Sequence, residues 1–475
     1  MRYDDDMTDD DMTDKDITGL FALAATEAAA YRRGMRGRPV KAQGTPEAVL
    51  AVFAQPLQDG PTPARDVVAA LVAAATPGLV ATTGPRYFGF VTGGALPAAS
   101  AADMLAAAWD QNAFTAVMSP AAAAAEAAAG TWVKDLLGLP ATASVGFVTG
   151  AQAANTVGLA AARHHVLAQA GWDVERYGLA GAPRVRVLAG VERHATIDRS
   201  LRLLGFGTAC LEPVMVDRQG AIDVADLERA LRPGGASPAI VCLQVGNVNT
   251  GAVDDLATAV DVVHAHDSWA HVDGAFGLWA AASPALRHHV TGLAAADSWG
   301  CDAHKWLNVP YDSAFAMVSR PDVHTAAVSY SAAYLAGAGS AGSLGDLTVE
   351  SSRRARGFAV WAALRELGRS GVAGLVERCC ALARRFAEQL AAAGFEIGND
   401  VVLNQVLVSF GSDARTDAVV AAVQEDGTLW AGGTTWHGRR WMRISVSNAT
   451  TTADDVDACV AALTRLAEAT RPAAG

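Results

Sequence analysis

Between Pro140 and Val318 the chain alternates short apolar runs with longer stretches whose apolar positions recur every three or four residues. The runs VGFV (145–148), RVRVLAG (184–190), AIVCLQVG (239–246), WAHVD (269–273), SWGCD (298–302) and AFAMV (314–318) read as strands. Helical patterns fill the intervals, from VGFV to about Ala170, at Thr196–Leu204 and at Asp254–His266. Strands alternating with helices predict βαβ units and a mainly parallel sheet. Before Pro140, Ala-rich helical patterns run from about Ile17 to Leu79, broken near Pro56 and Pro61–Pro63, and again from about Pro97 to Leu137. After them, a helix from about Ser351 to Leu367 leads into a smaller α+β segment with strands at 402–410 and 442–446. The first 16 residues repeat DDDMTD and are too acidic to pack, so they read as a disordered tail. The expected division is a tail (1–16), a helical segment (17–84), a large domain (85–350) and a small C-terminal domain (351–475).

Composition narrows the function classes. A formal net charge of -12 without a dense Lys/Arg run argues against nucleic acid or an anionic membrane as partner. Every apolar run is interrupted before it reaches membrane-span length. Nothing at the N-terminus reads as a signal peptide. Six cysteines in 475 residues, two of them adjacent and none at metal-ligand spacing, suggest neither a disulfide framework nor a metal site. The expectation is a reduced, cytoplasmic compartment.

Candidate chemistry begins at Ser298-Trp299-Gly300-Cys301-Asp302-Ala303-His304-Lys305-Trp306. Taken alone, a lysine past a strand end is a surface cation with an apolar stem. Three companions change that reading. Asp273 closes the strand WAHVD, where α/β folds bind ligands, although a lone aspartate there is commonly a helix cap. Beside Lys305 it has a specific use: a carboxylate keeps the ring nitrogen of pyridoxal 5′-phosphate (PLP) protonated, and so maintains its electron sink. Thr149-Gly150-Ala151-Gln152 follows a strand and opens a helix, a turn whose N–H groups suit a phosphate dianion. His194 also follows a strand; it suits either stacking on a flat cofactor or the start of a helix.

The ordered set TGAQAAN, ERHAT, GNVNTGAVDDL, HVDGA and DAHKWLNVPYD resembles the group II PLP-dependent amino acid decarboxylases, over about Pro85 to Val446. The resemblance implies fold type I, with a mostly parallel seven-stranded sheet, a small C-terminal α+β domain, and a homodimer with sites at the subunit interface. It implies that Lys305 carries PLP and moves protons, Asp273 pairs with the ring nitrogen and His194 stacks on the ring. Ala275 lies against the other ring face. Thr149, Gly150, Ala151 and Gln152 hold the phosphate, with His304 beside it. Arg443 matches an arginine that in some members binds the substrate carboxylate; an interdomain salt bridge is the competing use. Phe90 and Trp109, with Trp430 and Trp436, are candidates for an aromatic or apolar pocket, or else core and interface residues.

Four departures from the family pattern stand out. Asp302 replaces an asparagine, and a carboxylate beside a phosphate is repulsive, so it is expected to point away or to pair with a base. Gln152 stands where Ser or Thr is common, with an amide still able to donate. Gly246-Asn247-Val248 replaces Gly-Thr-Thr. Leu344, in the Gly-, Ser- and Ala-rich loop 336–348, stands where aromatic amino acid decarboxylases carry a proton-donating tyrosine; Tyr330 and Tyr334 are out of register. The expected reaction is therefore α-decarboxylation of an L-amino acid to an amine. The alternatives are another PLP reaction (decarboxylation-coupled oxidative deamination, transamination or aldol cleavage) and a non-catalytic PLP-binding protein. A Rossmann oxidoreductase lacks its glycine fingerprint.

Overall fold

The computed structural model describes residues 14–232, 237–330 and 343–471. The larger of two sheets contains β1 (Ser144–Val148), β2 (Arg186–Gly190), β3 (Leu211–Val214), β4 (Ala239–Gln244), β5 (Trp269–Asp273), β6 (Ser298–Asp302) and β7 (Ala314–Val318), in the order β1-β7-β6-β5-β4-β2-β3. Only β7 runs against its neighbours. β5, β6 and β7 are buried along their whole length, as expected for central strands covered on both faces. The fold is α/β, PLP fold type I, as the resemblance implied.

β3 was not anticipated. Its sequence, LEPV, carries a charge and a proline, and it is tolerated because β3 is an edge strand paired only with β2. The second sheet, β10-β11-β9-β8, comprises β8 (Glu396–Ile397), β9 (Gln405–Ser409), β10 (Gly432–Trp436) and β11 (Arg439–Ser445). The helical stretch expected over 97–137 divides into Pro97–Trp109 and Pro120–Leu137. The first ends at Asp110, which has φ +47°, and Ser119 caps the second. The helix expected to end at Leu367 breaks there, at Gly368 (φ +60°), and resumes to Ala392. At the N-terminus, helix Asp14–Arg33 begins inside the stretch read as a tail, and residues 1–13 lie outside the described residues.

β1 and β6 both run antiparallel to β7, so β1 shares the direction of β2 to β6. The C-terminal ends of β1, β2, β5 and β6 therefore open on one edge of the sheet, where such folds bind ligands.

Candidate active site

Of the strands that end at this edge, β1, β2, β5 and β6 are each followed by, or end on, expected residues. β6 ends at Asp302, and Lys305 follows one turn later. The Lys305 side chain is mostly buried, with Nζ 3.0 Å from Oδ2 of Asp302. Burial alone would lower its pKa, but the Asp302 carboxylate, helped by Asp273, outweighs that and holds the ammonium above the ordinary lysine value. β5 ends at buried Asp273, whose Oδ1 accepts the Ala275 N–H at 3.3 Å. Ala275 is partly accessible, alone in the stretch from Ser268 to Ala280.

His194 lies past β2 and caps helix Ala195–Leu203. Its Nδ1 is 2.9 Å from Thr196 Oγ1. Burial lowers its pKa; Lys305 and Arg443 push the same way, against Asp273 and Asp302. These five groups share one electrostatic neighbourhood. Arg443, on β11, is half-buried and donates to the Val248 carbonyl at 3.3 Å. It makes no ion pair among the described residues, so the interdomain salt bridge considered for it does not form there. Burial lowers its pKa as well.

The phosphate turn departs from expectation in two ways. The amide of Gln152 is turned towards helix Ala195–Leu203, where it donates to Ser200 Oγ at 2.8 Å and to the Thr196 carbonyl at 3.2 Å. The Ala151 N–H, at the start of helix Ala151–Gln169, donates to Asp302 Oδ1 at 2.6 Å. Asp302 thus pairs with a base, as one expected alternative had it, yet it does not point away from the turn. Thr149 and Gly150 remain partly accessible beside it. His304 Nδ1 accepts the Ser313 N–H at 3.2 Å, its Nε2 lies 3.5 Å from Asp302 Oδ1, and its ring packs on Tyr311 with centroids 4.3 Å apart. Burial lowers its pKa, against the pull of Asp302.

The segment around Phe90 is strapped across this region. Phe88 N donates to Trp430 O and Trp430 N to Arg86 O. Gly93 abuts the lysine loop so closely that a Cβ there would lie 1.8 Å from the Lys305 carbonyl oxygen, so only glycine fits. Tyr87 stacks on Trp430 at 5.1 Å and Phe90 tilts against the same indole at 5.2 Å. Tyr87 is pushed up to about 12 by burial and by nearby Tyr311. Tyr87 and Tyr311 were not singled out in the sequence, although Tyr311 lies inside the DAHKWLNVPYD motif. Trp109 lies apart from this group, half-exposed against Phe358 at 5.2 Å. Trp436 is buried with Leu407 and Trp441 under the small sheet. Leu344 opens a short turn, Leu344–Leu347, tied to the Phe114 carbonyl by Ser343 Oγ and Gly345 N. Tyr330 Oη is taken up by Ser351 Oγ at 2.8 Å, and Tyr334 lies outside the described residues.

A nearly buried amine, a carboxylate at a strand end, a flat imidazole and a helix start, converging on one sheet edge, define a fold-type-I PLP enzyme. The donor set fits PLP, with Lys305 for its aldehyde, Asp273 for its ring nitrogen and the Ala151 helix start for its phosphate; Asp302 is the one discordant group. The chain belongs to the pyridoxal-dependent decarboxylase family, whose conserved domain matches residues 46–411, and it is a PLP-dependent carboxy-lyase. It is 30% identical over 370 residues to tryptophan decarboxylase 1 of Oryza sativa subsp. japonica, covering 74% of this chain and 71% of that protein. It is 27% identical over 327 residues to 4-hydroxyphenylacetaldehyde synthase of Rhodiola rosea, covering 66% and 65%. Among solved structures it is similar in fold to Oryza sativa TDC with PLP and tryptamine, at TM-score 0.89 and 23% identity, covering 96% of this chain and 99% of that one. No helix among the described residues is long and apolar enough to cross a membrane.

Proposed function

We propose that the protein removes the α-carboxylate of an L-amino acid with an aromatic or large apolar side chain, releasing CO2 and the amine. The carrying observation is the aromatic wall of Tyr87, Phe90 and Trp430, strapped to the loop that presents Lys305. Relatives that act on tryptophan support the same substrate class.

PLP, when bound, supplies a conjugated electron sink for the pair left by departing CO2. The chain does the rest. Lys305 Nζ is the amine that holds the cofactor and gives place to the substrate amine. Asp273 keeps a proton on the ring nitrogen. His194 covers one ring face and Ala275 the other. Arg443, a half-buried cation without a carboxylate partner among the described residues, draws in the substrate carboxylate. Phe90 lines the side-chain pocket. Trp109, set against Phe358, is assigned to packing rather than to substrate. The electron pair left at Cα then needs a proton. With leucine at 344, Lys305, His304 and Tyr311 are the nearby groups that carry one.

Two helices support a homodimer. Pro46–Phe53 and Ala64–Ala75 bury no residue within the chain, yet Leu50, Phe53, Val67 and Leu71 stand exposed on them. A second copy of the chain is the proposed cover. Six buried free thiols accord with a reducing cytoplasm.

The test is a screen of the PLP-loaded enzyme against the common L-amino acids, with CO2, amine, aldehyde and keto acid measured separately. CO2 with amine from aromatic substrates supports the reading. CO2 only from acidic substrates overturns the substrate class, and keto acid without CO2 overturns the reaction.

A further inference from the structure

Five polar groups from four separate elements join His194 to the middle of the sheet. Trp269 Nε1, on β5, donates to Ser298 Oγ on β6 at 2.9 Å. Ser298 Oγ lies 2.8 Å from His271 Nδ1, and His271 Nε2 lies 3.1 Å from Asn155 Oδ1. Asn155 Nδ2 donates to Thr196 Oγ1 at 3.3 Å, and Thr196 Oγ1 lies 2.9 Å from His194 Nδ1. His271, Ser298 and Asn155 are fully buried.

The direction of each bond follows from the two ends. Trp269 Nε1–H donates to Ser298 Oγ, whose own proton remains free to be given. Asn155 Oδ1 can only accept, so His271 Nε2 carries the proton; His271 is neutral, its pKa lowered to about 3 by burial, and its bare Nδ1 accepts from Ser298. The Asn155 amide then donates to Thr196, whose hydroxyl proton is left for His194 Nδ1. The far end agrees independently. The Thr196 backbone N–H, also donor-only, points at the same His194 Nδ1 from 3.3 Å.

We infer that Thr196, Asn155, His271 and Ser298 are positioning residues that hold His194 as a neutral imidazole with its proton on Nε2. An imidazolium, or the Nδ1–H tautomer, would set the ring Nδ1–H against the Thr196 backbone N–H and leave the Thr196 hydroxyl without its acceptor on His194. His194 therefore presents an N–H donor, not a lone pair, on its free edge, which shares the field of Lys305, Arg443, Asp273 and Asp302. The tautomer rests on the hydrogen bonds alone; only its consequence for turnover rests on the proposed decarboxylation.

The test uses PLP-loaded enzyme labelled with 15N-histidine, the His194 signals being identified with His194→Gln. Two-bond 15N–1H correlations should show a protonated Nε2 and a bare Nδ1 at neutral pH. Thr196→Val, which removes the hydroxyl but keeps the backbone N–H, should give a mixed tautomer, and Thr196→Ser should restore the original one. Ser298→Ala, at the far end of the chain, should broaden the His271 signals and admit a minor Nδ1–H population at His194. For turnover, kcat in Thr196→Val should fall severalfold with little change in KM and recover in Thr196→Ser. A His194 that is Nδ1-protonated or doubly protonated in wild type overturns the inference, whatever substrate the enzyme uses. So does a Thr196→Val protein with an unchanged tautomer. A correct tautomer without CO2 release from any amino acid would instead count against the proposed reaction.

Discussion

Lys305 Nζ lies 3.0 Å from Oδ2 of Asp302, while Oδ1 of the same carboxylate accepts the Ala151 N–H at 2.6 Å. One side chain therefore favours the charged form of Lys305, the proposed cofactor lysine, and occupies the helix start proposed for the phosphate. Both contacts oppose PLP loading: a phosphate dianion meets a carboxylate, and a charged lysine is no nucleophile.

Asp302→Asn should accordingly bind PLP more tightly, by on the order of tenfold, since one unit of like charge leaves the site. The pH dependence should move in a defined direction. Asp302 raises the Lys305 pKa, so its loss leaves burial opposed only by Asp273 and Tyr311 and the pKa falls. Cofactor attachment, which needs the neutral amine, should then reach a given rate at lower pH in the variant. Stopped-flow absorbance of PLP added to the cofactor-free protein, repeated across pH, measures both. Identical affinity and an unmoved pH curve would mean that Asp302 does not oppose loading.

Asp273→Asn should fold and still take up PLP through Lys305, yet turn over on the order of a hundredfold more slowly, the scale of losing one preorganised charge partner. An amide does not stabilise the ring-nitrogen proton as a carboxylate does. Cofactor content and circular dichroism separate this from misfolding. Near-normal kcat with full cofactor content would remove Asp273 from its role.

The exposed faces of Pro46–Phe53 and Ala64–Ala75 make a third expectation. Leu50 and Leu71 stand 65% and 54% exposed in the single chain, so Leu50→Asp with Leu71→Asp should leave the protomer folded. Each leucine buried on self-association contributes about 1.5–3 kcal/mol, so the double variant should dissociate at least about a hundredfold more readily. Sedimentation velocity at micromolar concentration decides it. An undiminished dimer would place the interface elsewhere.

How far the sequence disclosed all this follows from what each feature depends on. The central strands announced themselves as short apolar runs because both of their faces are buried. β10 did not, because its Gly432-Gly433 start resembles a turn and only its hydrogen bonds to β11 make it a strand. Lys305, Asp273 and His194 could be singled out as candidates because each stands at or just past a strand end inside a dense motif. The chain from Trp269 to His194 was not, since its members lie on β5, β6 and two helices and meet only when the sheet forms. Asp302 was legible as an anomaly, but its double use of Lys305 and Ala151 needed coordinates. Gln152 was read as a donor to the phosphate because nothing in the turn signals that Ser200 competes for its amide.

The last prediction concerns the proton that must reach Cα once CO2 has gone. Leu344 carries none, and its turn is tied to the Phe114 carbonyl. Among the described residues, Tyr330 is engaged with Ser351, and Tyr311, packed on His304 and felt by Lys305, is the phenol proposed as donor. Where protonation is slow, oxygen competes for the same electron pair: amino acid, O2 and water then give aldehyde, CO2, ammonia and hydrogen peroxide, with one O2 used per CO2. Wild type should therefore consume a measurable fraction of an O2 per CO2. Tyr311→Phe should raise that ratio severalfold, within the range a positioned general acid contributes. Leu344→Tyr should lower it and shift product towards amine, provided that the turn can bring residue 344 to a site. Oxygen-electrode traces taken alongside CO2 release give the ratio directly. Fast amine formation with no O2 uptake in wild type and in Tyr311→Phe alike would exclude Tyr311 as the donor and leave Lys305 or His304 in that role.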